Sequence, residues 1–286
     1  MLAGTMTTQR VTIPQGEIEY KDDGEGPPVV FCHGFLVDGQ LWSEAAQRLS
    51  KDGYRCLVPT LPFGSHRLPM RPDADLSPRG IARVVADFCA ALDLRDVTLA
   101  GNDTGGVIAQ LVATEHGERV GRLVLTNCDA LEVFPPKGFG YIKLLPYVPG
   151  LMLGLGKAML WAPPLRRLPI AYGALTQRRL PSSLLQSWIE PVATDPAIRR
   201  DVARFARGVS NRVTLEVAEA LRRFNRPVLL LWGDADRFFP LSLAERLRAM
   251  IPNARLQVVR GGGLFLSLDC PDAVADGIAA FIRGAG

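Results

Sequence analysis

Residues Asp96 to His116 read DVTLAGNDTGGVIAQLVATEH. The run DVTLAG has the apolar, β-branched character of a buried strand and VIAQLVATEH carries a helical pattern, so the GNDTGG between them is a strand-to-helix turn. At such a turn the middle side chain, here Asp103, is held head-out in a strained backbone conformation. Small residues are needed on either side, and Gly101, Gly105 and Gly106 supply them. The amide of Thr104 opens the helix, where N–H groups and the helix dipole stabilise developing negative charge. The competing reading is that Asp103 simply caps the helix, a place aspartate favours.

Outward from this turn, short apolar runs alternate with amphipathic helical segments, the pattern of a mostly parallel sheet with helices on both faces. Eight strands are expected: RVTIP, EIEYKD, PPVVFC (Pro27 to Cys32), RCLVPT (Arg55 to Thr60), DVTLAG (Asp96 to Gly101), GRLVLTN (Gly121 to Asn127), RPVLLLWG (Arg226 to Gly233) and RLQVV (Arg255 to Val259). Among the helices, SPRGIARVVADFCAALDL starts with Ser77 as N-cap and Pro78 at the first helical position, where a missing N–H costs nothing. The alternation stops between residues 131 and 225, where helical patterns punctuated by proline and rich in Leu, Trp and Tyr replace strands. An insert of that kind between two parallel strands is expected to form a cap over the C-terminal edge of the sheet, where open α/β sheets bind ligands. The expected organisation is an α/β core in two parts, 1–130 and 226–286, with a helical cap at 131–225.

Composition narrows the function classes. At 286 residues and 48% hydrophobic, the chain can fill a sizeable core. Its 33 basic and 29 acidic residues give +4, spread thinly, which argues against nucleic acid as a partner. Cys32, Cys56, Cys89, Cys128 and Cys270 are an odd, widely spaced set with no metal spacing, read as reduced thiols in a cytoplasmic protein. The N-terminus MLAGTMTTQR lacks a signal-peptide stretch. The longest apolar region, LLPYVPGLMLGLGKAMLWAPPL, is broken by Pro146, Pro149 and Lys157, so no membrane span is expected. No metal or cofactor motif is present, and a monomer or homodimer acting on a small molecule is expected.

Two further stretches give the turn its company. VVFCHGF puts His33, Gly34 and Phe35 just past the third strand, and LLLWGDADRFFP puts Asp236 just past the seventh. With these residues the chain resembles the α/β-hydrolase superfamily over nearly its whole length: His-Gly after the third strand, nucleophile elbow after the fifth, helical cap after the sixth, acid after the seventh. The resemblance implies the α/β-hydrolase fold and an oxyanion hole made by the amides of Phe35 and Thr104, with His33 structural. An aspartate at the elbow resembles the epoxide-hydrolase and haloalkane-dehalogenase branch. There a carboxylate, already ionised at neutral pH, attacks carbon, and a histidine-activated water hydrolyses the resulting ester.

The resemblance fails at one place. Where the superfamily commonly reads Gly-x-Gly-His-Phe after the eighth strand, this chain reads Gly261-Gly262-Gly263-Leu264-Phe265, so Leu264 stands where the histidine would. The chain has three histidines, His33, His66 and His116; His116 is expected in solvent near the end of the elbow helix and His66 in a loop or at the site rim. Asp236 would then face leucine, and its pKa should rise unless another donor reaches it. An ordinary turn aspartate is its plainer reading, with Asp234 and Asp129 as fallback acids. Three readings stay open: a hydrolase trapped at its ester by an engineered or natural replacement, a natural family member doing ring opening, cyclisation or elimination, and a non-catalytic small-molecule binder.

Substrate signals are sparser. Relatives that remove halide often hold it with a tryptophan after the nucleophile and an Asn or Glu after His-Gly, and here those places are Thr104 and Phe35. Epoxide hydrolases donate to the epoxide oxygen from cap tyrosines, and this cap offers Tyr141, Tyr147 and Tyr172. An epoxide-hydrolase-like reaction on a medium-sized apolar or aromatic molecule is expected, in a pocket formed with His33, Tyr141, Trp161, Tyr172 and Trp188. No membrane partner is expected, and the runner-up use for the Leu-rich segment 144–165 is docking a partner protein or a lipid surface.

Overall fold

The computed structural model describes residues 7–148 and 150–284, so Pro149 and the first six residues of the N-terminal stretch lie outside the described residues. Eight strands form at the eight apolar runs: β1 (Thr7–Ile13), β2 (Gly16–Asp23), β3 (Pro28–Cys32), β4 (Arg55–Pro59), β5 (Val97–Asp103), β6 (Val120–Cys128), β7 (Val228–Gly233) and β8 (Ala254–Val259). They make one sheet in the order β1-β2-β4-β3-β5-β6-β7-β8. β2 is antiparallel to both neighbours, and the pairings from β4 to β8 are parallel. Parallel neighbours need long crossovers, and helices supply them: α1 (Ser43–Lys51), α2 (Pro78–Ala91) and α3 (Thr104–Glu115) lie between successive strands from β3 to β6. β5 and β7 are buried along nearly their whole length because helices cover both faces, which is why they read as unbroken apolar runs. β8 lies at the edge and exposes several of its residues.

Local chemistry sets the boundaries. Ser77 accepts a hydrogen bond from the Gly80 amide at the start of α2, with Pro78 in its first turn. α3 is buried continuously from Thr104 to Ala113, so it has no polar face. Its approach to the sheet depends on two glycines: a Cβ at Gly105 would lie 2.2 Å from the Cys32 carbonyl oxygen, and one at Gly106 2.2 Å from Cys128 Cβ.

Between β6 and β7 the described residues form no strand, only an isolated bridge from Ala130 to Val133. Helices α4 (Leu151–Trp161), α5 (Ser182–Thr194), α6 (Pro196–Arg207) and α7 (Asn211–Leu221) fill the interval. α4 packs on α5 and α5 on α6, while α7 returns to pack against α3. Asp195 caps α6 by accepting from the Ala197 and Ile198 amides. The chain closes with α8 (Leu241–Met250), the short α9 (Leu266–Asp269) and α10 (Pro271–Arg283). All five cysteines are unpaired, four of them buried. Among the described residues no helix is long and apolar enough to cross a membrane.

Candidate active site

Asp103 ends β5 with φ 54° and ψ −130°, a conformation that L-residues adopt only under strain, and its side chain makes no cap bond to α3. Its carboxyl turns instead toward the loop after β3. The Phe35 amide donates to Asp103 Oδ2 at 3.0 Å, and the Thr104 amide at the start of α3 favours the ionised carboxyl electrostatically. Gly34 makes this approach possible, since a Cβ there would lie 2.3 Å from Asp103 Oδ2. Of the two amides anticipated as an oxyanion hole, that of Phe35 therefore binds the elbow carboxyl itself.

The loop is fixed from three sides. The Phe35 ring stacks on Phe205 of α6 at 5.7 Å, and Phe205 on Phe63 at 4.9 Å. Leu36, at φ 55°, turns its carbonyl to accept the Tyr172 hydroxyl at 2.7 Å. His33 accepts the Leu61 amide on Nε2 at 2.8 Å, which leaves Nδ1 as donor to the Gly34 carbonyl, also at 2.8 Å. Burial pushes its pKa down to about 4, so the ring is a neutral brace.

Between cap and sheet edge lies a cavity of about 580 Å³. Asp103, Thr104, Phe35 and Leu264 line it from the core, and Asp103 is its only charged side chain. Leu264 is 2% exposed and packed in the core, with its carbonyl accepting from Asn102 Nδ2 at 2.7 Å. Asp236 does find a donor in place of a histidine. Asn127 Nδ2 reaches Asp236 Oδ2 at 2.8 Å, the Phe238 amide reaches Oδ1 at 2.7 Å, and Asn127 Oδ1 accepts from the Gly233 amide at 2.7 Å.

Burial dominates the electrostatics. It lifts Asp103 to about 7 against the two amides, with the Asp236 charge adding to the rise. Asp236 rises to about 6, again through burial, opposed by Phe238 and Asn127. Asp129, fully buried, is pushed well above the carboxylate range by burial and then by the Asp103 charge. The Thr104 hydroxyl donates to its Oδ2 at 3.2 Å, and its Oδ1 has no partner among the described residues.

Of the five side chains expected in the substrate pocket, Tyr141 and Tyr172 line the cavity, with their hydroxyls donating to the Ile170 carbonyl at 3.0 Å and the Leu36 carbonyl at 2.7 Å. The other three lie elsewhere, which corrects the expectation. His33 is locked behind the Phe35 loop. Trp188 is buried beside Tyr172, its indole N–H donating to Asp38 Oδ1 at 2.9 Å. Trp161 is 88% exposed at the end of α4, on the outside of the cap. His66 is buried next to Asp201 at 3.5 Å, and neither it nor His116 lines the cavity.

Sequence reasoning missed Asn127, Asn102 and Asp269. Asp269 accepts from the Thr176 hydroxyl, from the Gln177 amide at 2.9 Å, from the Arg178 amide at 3.1 Å and from the Gly263 amide at 2.8 Å, tying the cap to the Leu264 loop. Among the described residues no group of three or more His, Cys, Asp or Glu side chains is placed to hold a metal ion.

Known proteins resemble this arrangement. A sequence model of the alpha/beta hydrolase family matches residues 29–277. Haloalkane dehalogenase 2 of Mycobacterium tuberculosis is 31% identical over 277 residues, covering 92% of this chain and 91% of that protein. The non-heme chloroperoxidase CPO-A1 of Kitasatospora aureofaciens is 29% identical over 253 residues, covering 86% and 87%. Among solved structures, the epoxide hydrolase CorEH without ligand superposes with a TM-score of 0.81 at 18% identity, covering 98% of this chain and 99% of that one, a likeness of fold.

Proposed function

The chain belongs to the alpha/beta hydrolase family and is related to haloalkane dehalogenases; from that premise we propose that Asp103 attacks medium-sized apolar or aromatic electrophiles, epoxides first, and keeps the ester it forms. The observation that carries this reading is that Asp103, in the elbow and held by the Phe35 amide, shares one apolar cavity with Leu264. With Oδ2 held by the Phe35 amide, Oδ1 is left to attack a ring carbon. The carbon–oxygen bond of the epoxide breaks, its oxygen keeps the electron pair and takes a proton from water, hydroxide departs into solvent, and a hydroxyalkyl ester of Asp103 results. An epoxide suits the site better than a haloalkane because its leaving oxygen stays attached to the ester and is neutralised by a proton, whereas a halide remains an anion in the apolar cavity. A departing halide would need donors, and the Thr104 hydroxyl already serves Asp129.

Hydrolysis of the ester requires a base within about 3 Å of the attacking water. Leu264 offers none, and the three histidines lie outside the cavity. Asp236 keeps its place through Asn127, so the acid survives where the base does not.

A second reading has its own support: a carboxyl with a pKa of about 7 can take and return protons at neutral pH, which suits ring opening, cyclisation or elimination with no ester. Intact mass spectrometry after incubation with an aromatic epoxide, a haloalkane and a simple ester separates them. An adduct on the native chain, absent in Asp103→Asn, with turnover only in Leu264→His, supports the first. Product without adduct, again lost in Asp103→Asn, selects the second. Tight ligand binding with neither adduct nor product in any form removes both.

A further inference from the structure

The outer face of the cap carries an unpartnered apolar patch. Of nine large hydrophobic side chains exposed among the described residues, seven fall between residues 144 and 170: Leu144, Tyr147, Val148, Leu155, Trp161, Leu168 and Ile170. Four of these, Leu144, Leu155, Leu168 and Ile170, also line the cavity, so part of the patch forms the rim of its mouth. Concentration of this kind marks an interaction surface.

Charge says what the surface meets. Residues 133–189 contain no Asp or Glu but seven basic residues, Lys137, Lys143, Lys157, Arg166, Arg167, Arg178 and Arg179, while the remaining chain has 26 basic and 29 acidic residues. Lys137, Lys143 and Lys157 are exposed and form no ion pair among the described residues. Lys143 adjoins Leu144, and Lys157 stands one turn before Trp161 on α4, whose eleven residues include no other charge. Apolar side chains flanked by solvated lysines are how a short helix lies in a membrane interface. A second copy of the chain is a poor fit, because a two-fold contact would set this cationic patch against itself.

We propose that the cap mouth docks on an anionic phospholipid bilayer and that apolar substrates enter the cavity from the lipid phase without crossing water. Docking concerns the outside of the cap and does not depend on the chemistry assigned to Asp103.

Trp161 is a built-in reporter, because Trp42, Trp188 and Trp232 are fully buried. The full chain is mixed with phosphatidylcholine vesicles, with or without phosphatidylglycerol, carrying brominated acyl chains that quench an inserted indole. Quenching and co-flotation are expected with the anionic vesicles and should weaken in high salt. At roughly five-fold per basic side chain near an anionic surface, Lys143→Gln with Lys157→Gln should weaken association about thirty-fold. Trp161→Ser should abolish quenching, and Asp103→Asn should dock like the native chain, so loss of the catalytic reading leaves this one standing. These side chains are exposed, and melting curves verify that the variants remain folded. Absence of quenching and flotation with anionic vesicles overturns the proposal. So does equal association with neutral vesicles, or a dimer in sedimentation velocity that Trp161→Ser dissolves.

Discussion

Leu264 sits on a loop whose backbone path is tightly set. Asn102 holds its carbonyl at 2.7 Å, and a Cβ on neighbouring Gly262 would lie 2.2 Å from Leu266 Cδ1, so the loop has one tight path. Leu264→His should therefore place an imidazole in the cavity without moving the chain. We expect this variant to release the Asp103 ester, read as loss of the mass adduct with time, and to unfold about 1 to 2 kcal/mol more easily, since a polar ring replaces packed leucine. Ester formation has a pH signature of its own. Only ionised Asp103 attacks, and its pKa is about 7, so the rate of adduct formation should rise about tenfold per pH unit on the acid side and level off above pH 8. Asp103 and Leu264 were legible in the sequence because each lies in a local pattern of glycines around one position. Asn127 was not, because its role is set by Asp236, 109 residues away, and nothing near it in the sequence announces a donor.

Elements divide in the same way. The central strands were readable because each is a short apolar run between turn residues, β2 because its apolar residues alternate with charged ones, and the elbow helix because glycines open it. The phase of α4 was not: LMLGLGKAMLW is apolar all round, so no periodicity says which side faces the cavity, and Trp161 was expected inward but points out. How the cap is fastened was also hidden. The fastening is Asp269 at the end of α9, which collects amides from Gln177, Arg178 and Gly263. Charge-assisted bonds of this kind contribute about 1.5 to 3 kcal/mol each and do not add fully. Asp269→Ala should cost about 3 kcal/mol in denaturant unfolding and speed hydrogen exchange at those three amides, while the amides of β5 stay protected. Unchanged exchange at Gln177 and Arg178 would show that the cap is held by something else.

On the scale of the whole molecule, the buried carboxyls set how stability depends on pH. Asp103, Asp129 and Asp236 all have folded pKa values above those of an unfolded chain, so the native state holds their protons more tightly. Their protonated forms favour folding. Stability from Asp103 is lost as pH rises from about 4 through 7, and from Asp236 as it rises from about 4 through 6. The protein should melt lower at pH 8 than at pH 5.5 in differential scanning calorimetry. Asp103→Asn should recover part of the difference at pH 8, at most about 4 kcal/mol for a shift of roughly three units, and little at pH 4. Cap and core are also one mechanical unit. Tyr172 of the cap grips the Leu36 carbonyl, and Leu36 follows the residue whose amide steadies Asp103. A guest large enough to lift the cap at Tyr172 would pull on that hydroxyl and loosen the Phe35 amide on the carboxylate, so the bulk a ligand brings would be traded against the reactivity it meets.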